Sequence, residues 1–275
     1  MVNSLAMPIY VIAEAACEHE GSLEAAKQLI LVAIKAGANC IKFQAWGKGY
    51  PEVVARTDET LANILIKVRL EYEQLLDLYY FAQHENNIDF LISCFDMDSL
   101  EAVGDFNLRK GLLKIPSIMA SNEKFLRRAG LLFSSFILST GMHSFEEIEK
   151  SVRILHDYTE LKNIALLQCT SAYPCPFGQV NLRAMGELKS LTGIVGLSDH
   201  TIGYEIALAA IGMGATVIEK HITLDRMGTG PDASTSLGPT DLIDFIGKIR
   251  NVEKAMGDGV KKIEEGERRL LWRRN

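Results

Sequence analysis

The sequence predicts a single (β/α)8 barrel, and three observations predict it. Strand-like and helix-like segments alternate along the chain as eight strand–helix units. The strand segments are short apolar runs, as expected of parallel strands covered on both faces. Each also carries polar side chains near its carboxyl end, where barrels of this kind do their chemistry. A doubly wound sheet would use only about five or six strands and leave the remaining units unexplained.

Taken in order, IYVIAEAAC (residues 9–17) is the first strand and SLEAAKQLILVAIKAG the first helix. Ser22 is its N-cap, with Glu24 and Lys27 early on the polar face. CIKFQAW (40–46) is the second strand; residues 47 to about 70 read as the least regular stretch of the chain. The helix YEQLLDLYYFAQHENN leads into DFLISCF (89–95), and SLEAVGDF is a short helix after it. LLKIPS (112–117), FILST (136–140), IALLQCT (164–170), IVGLSDH (194–200) and VIEKHIT (217–223) complete the strands. EKFLRRAGLL, SFEEIEKSVRILHDYT, NLRAMGELKSL, EIALAAIGMG and PTDLIDFIGKIRNVEKAMGDG are the helices that follow them. Without a repeat, a low-complexity linker or a Pro/Gly-rich boundary, residues 1–259 read as one barrel. Residues 260–275 read as a charged C-terminal extension.

Bulk composition excludes several classes. A chain of 275 residues with 48% apolar and 23% charged residues is an ordinary globular protein. Its net charge of −6 disfavours nucleic acid as a partner, and no segment offers the roughly 20 apolar residues of a membrane-spanning helix. MVNSLAMPIY lacks the basic start and apolar run of a signal peptide. The five cysteines are odd in number and contain no CxxC, which fits reduced core thiols in a cytoplasmic protein.

The polar residues at the strand ends are the functional candidates. In chain order they include Glu14, Lys42, Gln44, Ser93, Lys114, Ser117, Ser139, Tyr173, Ser198, His200, Glu219 and His221. Lysines inside barrel strands are costly unless paired or ligand-bound. Lys42 and Lys114 therefore suggest an anionic substrate, with serine hydroxyls as further donors; structural ion pairs to Glu14 or Glu219 are the alternative. His200 and His221 lie one βαβ crossover apart, so both imidazoles can converge at the rim. With Glu219 and Asp232 nearby they suggest a divalent-metal site, or else two histidines that only cap strand ends. Glu14 and Glu219 could act as general acid and base. Lys114 could alternatively be a Schiff-base nucleophile.

IAEAACEHEGSLEAAKQLI, IKFQAW, KIPS, ILSTGM, QCTSAYPCP, GLSDHTIGYEIALAAIGMGA and IEKHITLDRMGTGPD, in this order, resemble the sialic acid synthase family. The resemblance covers the catalytic barrel, without the small antifreeze-protein-like C-terminal domain that most members carry. It implies condensation of phosphoenolpyruvate with N-acetylmannosamine or a related amino-sugar aldehyde, giving a nonulosonic acid and phosphate. It implies His200 and His221 as ligands of Mn²⁺ or Mg²⁺. Lys42, Ser93, Lys114, Ser117, Ser139 and Ser198 would surround phosphoenolpyruvate; Gln44, Tyr173, Glu219 and Asp232 would face the sugar. Glu14, Glu219 and His221 would be catalytic, and a homodimer is expected. Departures from the family pattern fall on the sugar side: Glu18 and Glu20 replace its usual asparagines, and Ile118-Met119 follows KIPS. A Schiff-base lyase using Lys114 and a non-catalytic sugar-binding homologue are the competing readings.

Overall fold

A computed structural model describes residues 8–106, 108, 111–228 and 230–274. Most of the segment bearing on the expected lack of a leader, residues 1–7, lies outside that set. So do Thr229, in the loop before Asp232, and Asn275, the last residue of the charged extension.

Among the described residues, eight strands close into a parallel barrel in sequence order. They are β1 (Tyr10–Glu14), β2 (Cys40–Ala45), β3 (Asp89–Cys94), β4 (Leu112–Ile115), β5 (Ser135–Ser139), β6 (Ile164–Cys169), β7 (Ile194–Asp199) and β8 (Val217–His221). β1 closes the ring by pairing with both β2 and β8, Glu14 standing opposite Lys42 on one side and His221 on the other. The α-helices before β5 are α1 (Leu23–Ala36), α2 (Tyr50–Val54), α3 (Glu59–Val68), α4 (Tyr72–Tyr80), α5 (Met97–Gly104) and α6 (Glu123–Leu132). After β5 come α7 (Phe145–His156), α8 (Ala184–Thr192), α9 (Glu205–Gly212) and α10 (Pro239–Met256). This is the (β/α)8 architecture that the alternation predicts.

The first unit shows why the elements form where they do. The Ser22 hydroxyl accepts from the Ala25 amide at 3.2 Å and caps α1. Ala26, Leu29, Ile30 and Ala33 then bury one stripe against the sheet, each large aliphatic contributing roughly 1.5–3 kcal/mol. Gly37, with φ of 84°, ends the helix in the left-handed conformation that glycine adopts without strain.

Residues 47–70, expected to be irregular, instead form α2 and α3. Asp58 caps α3 by accepting from the Leu61 amide at 2.8 Å. Leu65 and Val68 on α3 pack with Cys17 and Trp46 in a small apolar cluster above the strand ends. Both helices are short, so tertiary packing supplies what their intrinsic propensity lacks.

Inside the barrel the side chains are stratified. A lower layer of Ile12, Cys40, Leu91, Ile137, Ala165, Leu167 and Val217 is apolar and closes the barrel below. Above it, towards the carboxyl ends of the strands, buried Glu14, Lys42, Ser93, Lys114, Ser139, Ser198 and Glu219 replace hydrocarbon. All five cysteines are free and buried. No helix among the described residues is long and apolar enough to cross a membrane. Residues 260–274 are exposed and include two helical turns, Glu265–Arg268 and Leu271–Arg274.

Candidate active site

The polar upper layer forms the floor of a cavity of about 370 Å³ at the carboxyl ends of the strands. Glu14, Lys42, Gln44, Ser93, Lys114, Ser117, Ser139, Tyr173, Ser198, His200, Glu219 and His221 all line it. Twelve side chains singled out from sequence are thus brought together from seven strands and the loops that follow them. Asp232 is the exception: it stands behind His221, with Oδ2 3.5 Å from Nδ1.

The two lysines are held alike. Lys42 Nζ donates to Ser93 Oγ at 2.7 Å and Lys114 Nζ to Ser139 Oγ at 2.8 Å. Lys42 also pairs with Glu14, and lies 3.6 Å from Glu219 Oε2. Lys114 lies 3.5 Å from Glu219 Oε1, which in turn accepts from the Ser198 hydroxyl at 2.9 Å. The ion pairs to Glu14 and Glu219 therefore exist, but as part of a ligand-sized cavity. Burial raises the Glu219 carboxyl, yet Lys114, Lys42 and Ser198 outweigh it and hold it down to about 2. Burial, assisted by the charge of Lys114, pulls Lys42 down to about 7 despite Glu219. An anion bound here would restore that ammonium. Glu14 Oε1 accepts from the Ala16 amide at 2.7 Å, and Ala16 adopts a φ of 42° to present it.

The imidazoles meet as expected, with ring centroids 5.4 Å apart, and the Tyr173 ring lies 4.2 Å from His200, tilted by 36°. His200 Nδ1 donates to the Thr170 carbonyl at 2.9 Å, which leaves Nε2 as the nitrogen turned away from that bond. Burial pulls His200 down, but the Cys169 thiol and the Thr170 carbonyl carry it above its usual value. Burial, with the nearby charges of His200 and Lys42, keeps His221 far below its usual value and therefore neutral. His221 Nδ1 and Glu219 Oε2 are buried without a hydrogen-bond partner among the described residues. Among the described residues no group of three or more His, Cys, Asp or Glu could hold a metal by itself. Two imidazoles whose ring centroids lie 5.4 Å apart in the cavity nevertheless fit an open site whose other positions fall to substrate and water.

Several features escaped sequence reasoning. Cys169 lines the cavity, its Sγ 3.9 Å from His200 Nδ1. Leu61, Phe95, Ile118 and Met142 give the cavity an apolar lip. Lys220, between two site residues on β8, points the other way and pairs with Asp199 at 3.0 Å, fully buried. Strand alternation within VIEKHIT carries that signal. His19 is buried: its Nδ1 accepts from the Gly21 amide at 3.1 Å, and burial lowers it to about 4. Glu18 is buried and pushed up to about 7, by burial first and also by the charge of Asp232.

Fold and site together define a class: a (β/α)8 barrel whose C-terminal mouth is a charged cavity built from paired lysines, carboxylates and two imidazoles. The chain belongs to the NeuB family, whose model matches residues 29–261, and is an enzyme of the sialic-acid-synthase type. It is 39% identical to N,N'-diacetyllegionaminic acid synthase of Campylobacter jejuni over 95% of this chain and 81% of that protein. The protein of the same description from Legionella pneumophila is 33% identical over 95% and 77%. The crystal structure of N-acetylneuraminic acid (sialic acid) synthetase from Leptospira borgpetersenii, in complex with citrate, superposes with a TM-score of 0.88. The match is 32% identical and covers 98% of this chain and 92% of that one.

Proposed function

We propose that this enzyme condenses phosphoenolpyruvate with an N-acetylated amino-sugar aldehyde, giving a nonulosonic acid and inorganic phosphate, with a divalent ion as cofactor. The observation that carries the reading is the pair of buried lysines, each hydrogen-bonded to a serine, beside two imidazoles in one cavity. Phosphoenolpyruvate carries a phosphate and a carboxylate, and two separated ammonium groups suit two anionic ends.

The residues supply the following steps. Lys42 with Ser93, and Lys114 with Ser139, bind the anionic groups and fix the methylene carbon for attack. A carbon–carbon bond forms between that methylene and the aldehyde carbon. The former enol carbon becomes electron-poor, and Glu14 and Glu219 stabilise it as fixed negative charges. Water adds at this carbon, the carbon–oxygen bond to phosphorus breaks, and phosphate leaves with the bridging oxygen against the lysines. His200 and His221 would hold Mn²⁺ or Mg²⁺, which when bound supplies Lewis-acid polarisation of the aldehyde oxygen. The Schiff-base alternative finds no support in the geometry, because the Lys114 amine is engaged by Ser139 and Glu219.

The lip supports a finer reading of the acceptor. Ile118 and Met142 are 52% and 66% exposed at the mouth, so acyl methyl groups find apolar surface there. An acceptor with two acetamido groups, such as the names of the Campylobacter and Legionella relatives imply, fits that lip. Five free thiols support a reducing compartment such as the cytoplasm. The test is phosphate release from phosphoenolpyruvate with Mn²⁺ against a panel of mono- and diacetamido aldehydes. The expected result is release with a preference for the diacetamido acceptor; no release with any acceptor would overturn the reading.

A further inference from the structure

Glu18 lies outside the cavity lining, yet the loop between β8 and α10 is moulded around it. Its Oε1 accepts from the Asp232 amide at 3.3 Å, and the Thr223 hydroxyl lies within hydrogen-bonding reach of the same carboxylate. Gly230 packs directly against it: a Cβ there would come within 2.2 Å of Oε1 and 2.7 Å of Oε2. Any side chain at 230 would force the Glu18 carboxylate to move from its place. Glu18 is itself fixed, being 6% exposed, with its amide donating to the Ala15 carbonyl at 2.9 Å. It therefore ties the loop after β1 to the loop after β8, the two strands that close the barrel.

The restrained turn ends in Asp232. Its carbonyl accepts from the Thr235 amide and hydroxyl, both at 3.0 Å, and from the Ser236 hydroxyl at 2.8 Å. Both flanks of Asp232 are thus pinned, Glu18 on one side and the Thr235–Ser236 turn on the other. This leaves its carboxylate facing His221 Nδ1, which has no hydrogen-bond partner among the described residues. A neutral imidazole carries one proton, and a carboxylate beside Nδ1 places that proton on Nδ1, with Nε2 as the lone-pair nitrogen.

We propose that Glu18 is a positioning residue: by clamping the 230–232 turn it holds Asp232 against His221 and fixes the His221 tautomer. Its effect on rate rests on the function proposed above; its effect on the tautomer does not. The experiment is ¹⁵N NMR of His221 in the full-length protein at neutral pH, without ligand, together with kinetics of phosphate release. The wild type is expected to show the Nδ1-protonated tautomer, and Glu18→Ala a shift towards protonation at Nε2. In the same variant kcat should fall about 10- to 100-fold, the usual effect of losing an outer partner, with KM for phosphoenolpyruvate changed less than about twofold. Glu18→Gln keeps an oxygen that accepts from the Asp232 amide, and is expected to restore both tautomer and rate. If Glu18→Ala does not fold, Glu18→Asp, which withdraws the carboxylate by one methylene, gives the same readout. An Nε2-protonated wild type, an unchanged tautomer in the alanine or aspartate variant, or a glutamine variant as impaired as alanine would each overturn the proposal. A wild type that releases no phosphate yet shows the tautomer change would instead sink the proposed function alone.

Discussion

Replacing Lys42 by methionine is expected to cost about 3–5 kcal/mol in kcat/KM for phosphoenolpyruvate, a fall of roughly 10²- to 10⁴-fold. The substitution keeps the length and volume of the side chain but removes the charge that pairs with Glu14 and Glu219 and hydrogen-bonds Ser93. It leaves two buried carboxylates with one ammonium fewer, so both anion binding and the folded barrel suffer. The wild type carries a pH signature of the same residue. Lys42 is held down to about 7, so it is charged below that pH and loses its proton above it. Because kcat/KM reports the free enzyme, the wild-type value is expected to fall as pH rises through about 7. In Lys42→Met that limb disappears. Phosphate-release kinetics from about pH 5.5 to about pH 9, on both sides of that value, decide the matter. A variant with wild-type kcat/KM, or one that retains the limb, contradicts the assignment.

His221→Ala is the second large effect. His221 is neutral, buried and in contact with His200 and Tyr173, so its removal leaves one imidazole where the site needs two. Losing an outer partner alone costs about 10- to 100-fold in metal affinity, and loss of a ligand is expected to exceed that. Electron paramagnetic resonance of free Mn²⁺ should show binding by the wild type and none by the variant in the same concentration range. Phosphate release should vanish in the variant. In the wild type it should stop on addition of EDTA and return with excess Mn²⁺. A fully active His221→Ala, or one that binds Mn²⁺ as the wild type does, removes the histidines from the metal role.

What the sequence made legible follows from strand physics. A strand buried on both faces has no use for a lysine unless something pairs with it, so Lys42 and Lys114 stood out among apolar neighbours. Their serine partners, one strand further on in each case, could be named as candidates but not matched, because matching needs the barrel register. The two histidines were legible as neighbours because one crossover separates parallel strands. That no group of three or more His, Cys, Asp or Glu stands together among the described residues was not, since such groups are settled in space.

Loops were harder. Asp232 could be named as a candidate from the sequence, but not its place beside His221, which is set by a turn that Glu18, Thr235 and Ser236 hold. That path depends on a residue more than 200 positions away in sequence. The helices α2 and α3 were missed because each is too short for periodicity to outweigh the polar run between them, and the packing of Leu65 and Val68 on Trp46 decides their conformation. Lys220 went unremarked between Glu219 and His221, although strand alternation alone sends it to the opposite face. There it meets Asp199 instead of substrate.

The central claim is that the paired lysines release phosphate by cleavage of a carbon–oxygen bond after a new carbon–carbon bond has formed. Phosphoenolpyruvate labelled with ¹⁸O at the bridging oxygen, turned over with Mn²⁺ and the preferred aldehyde, tests it most directly. Mass spectrometry of both products should find the label in inorganic phosphate and none in the nonulosonic acid. Label retained in the sugar acid would mean that the phosphorus–oxygen bond breaks instead, and the proposed roles of Lys42, Lys114, Glu14 and Glu219 would be wrong.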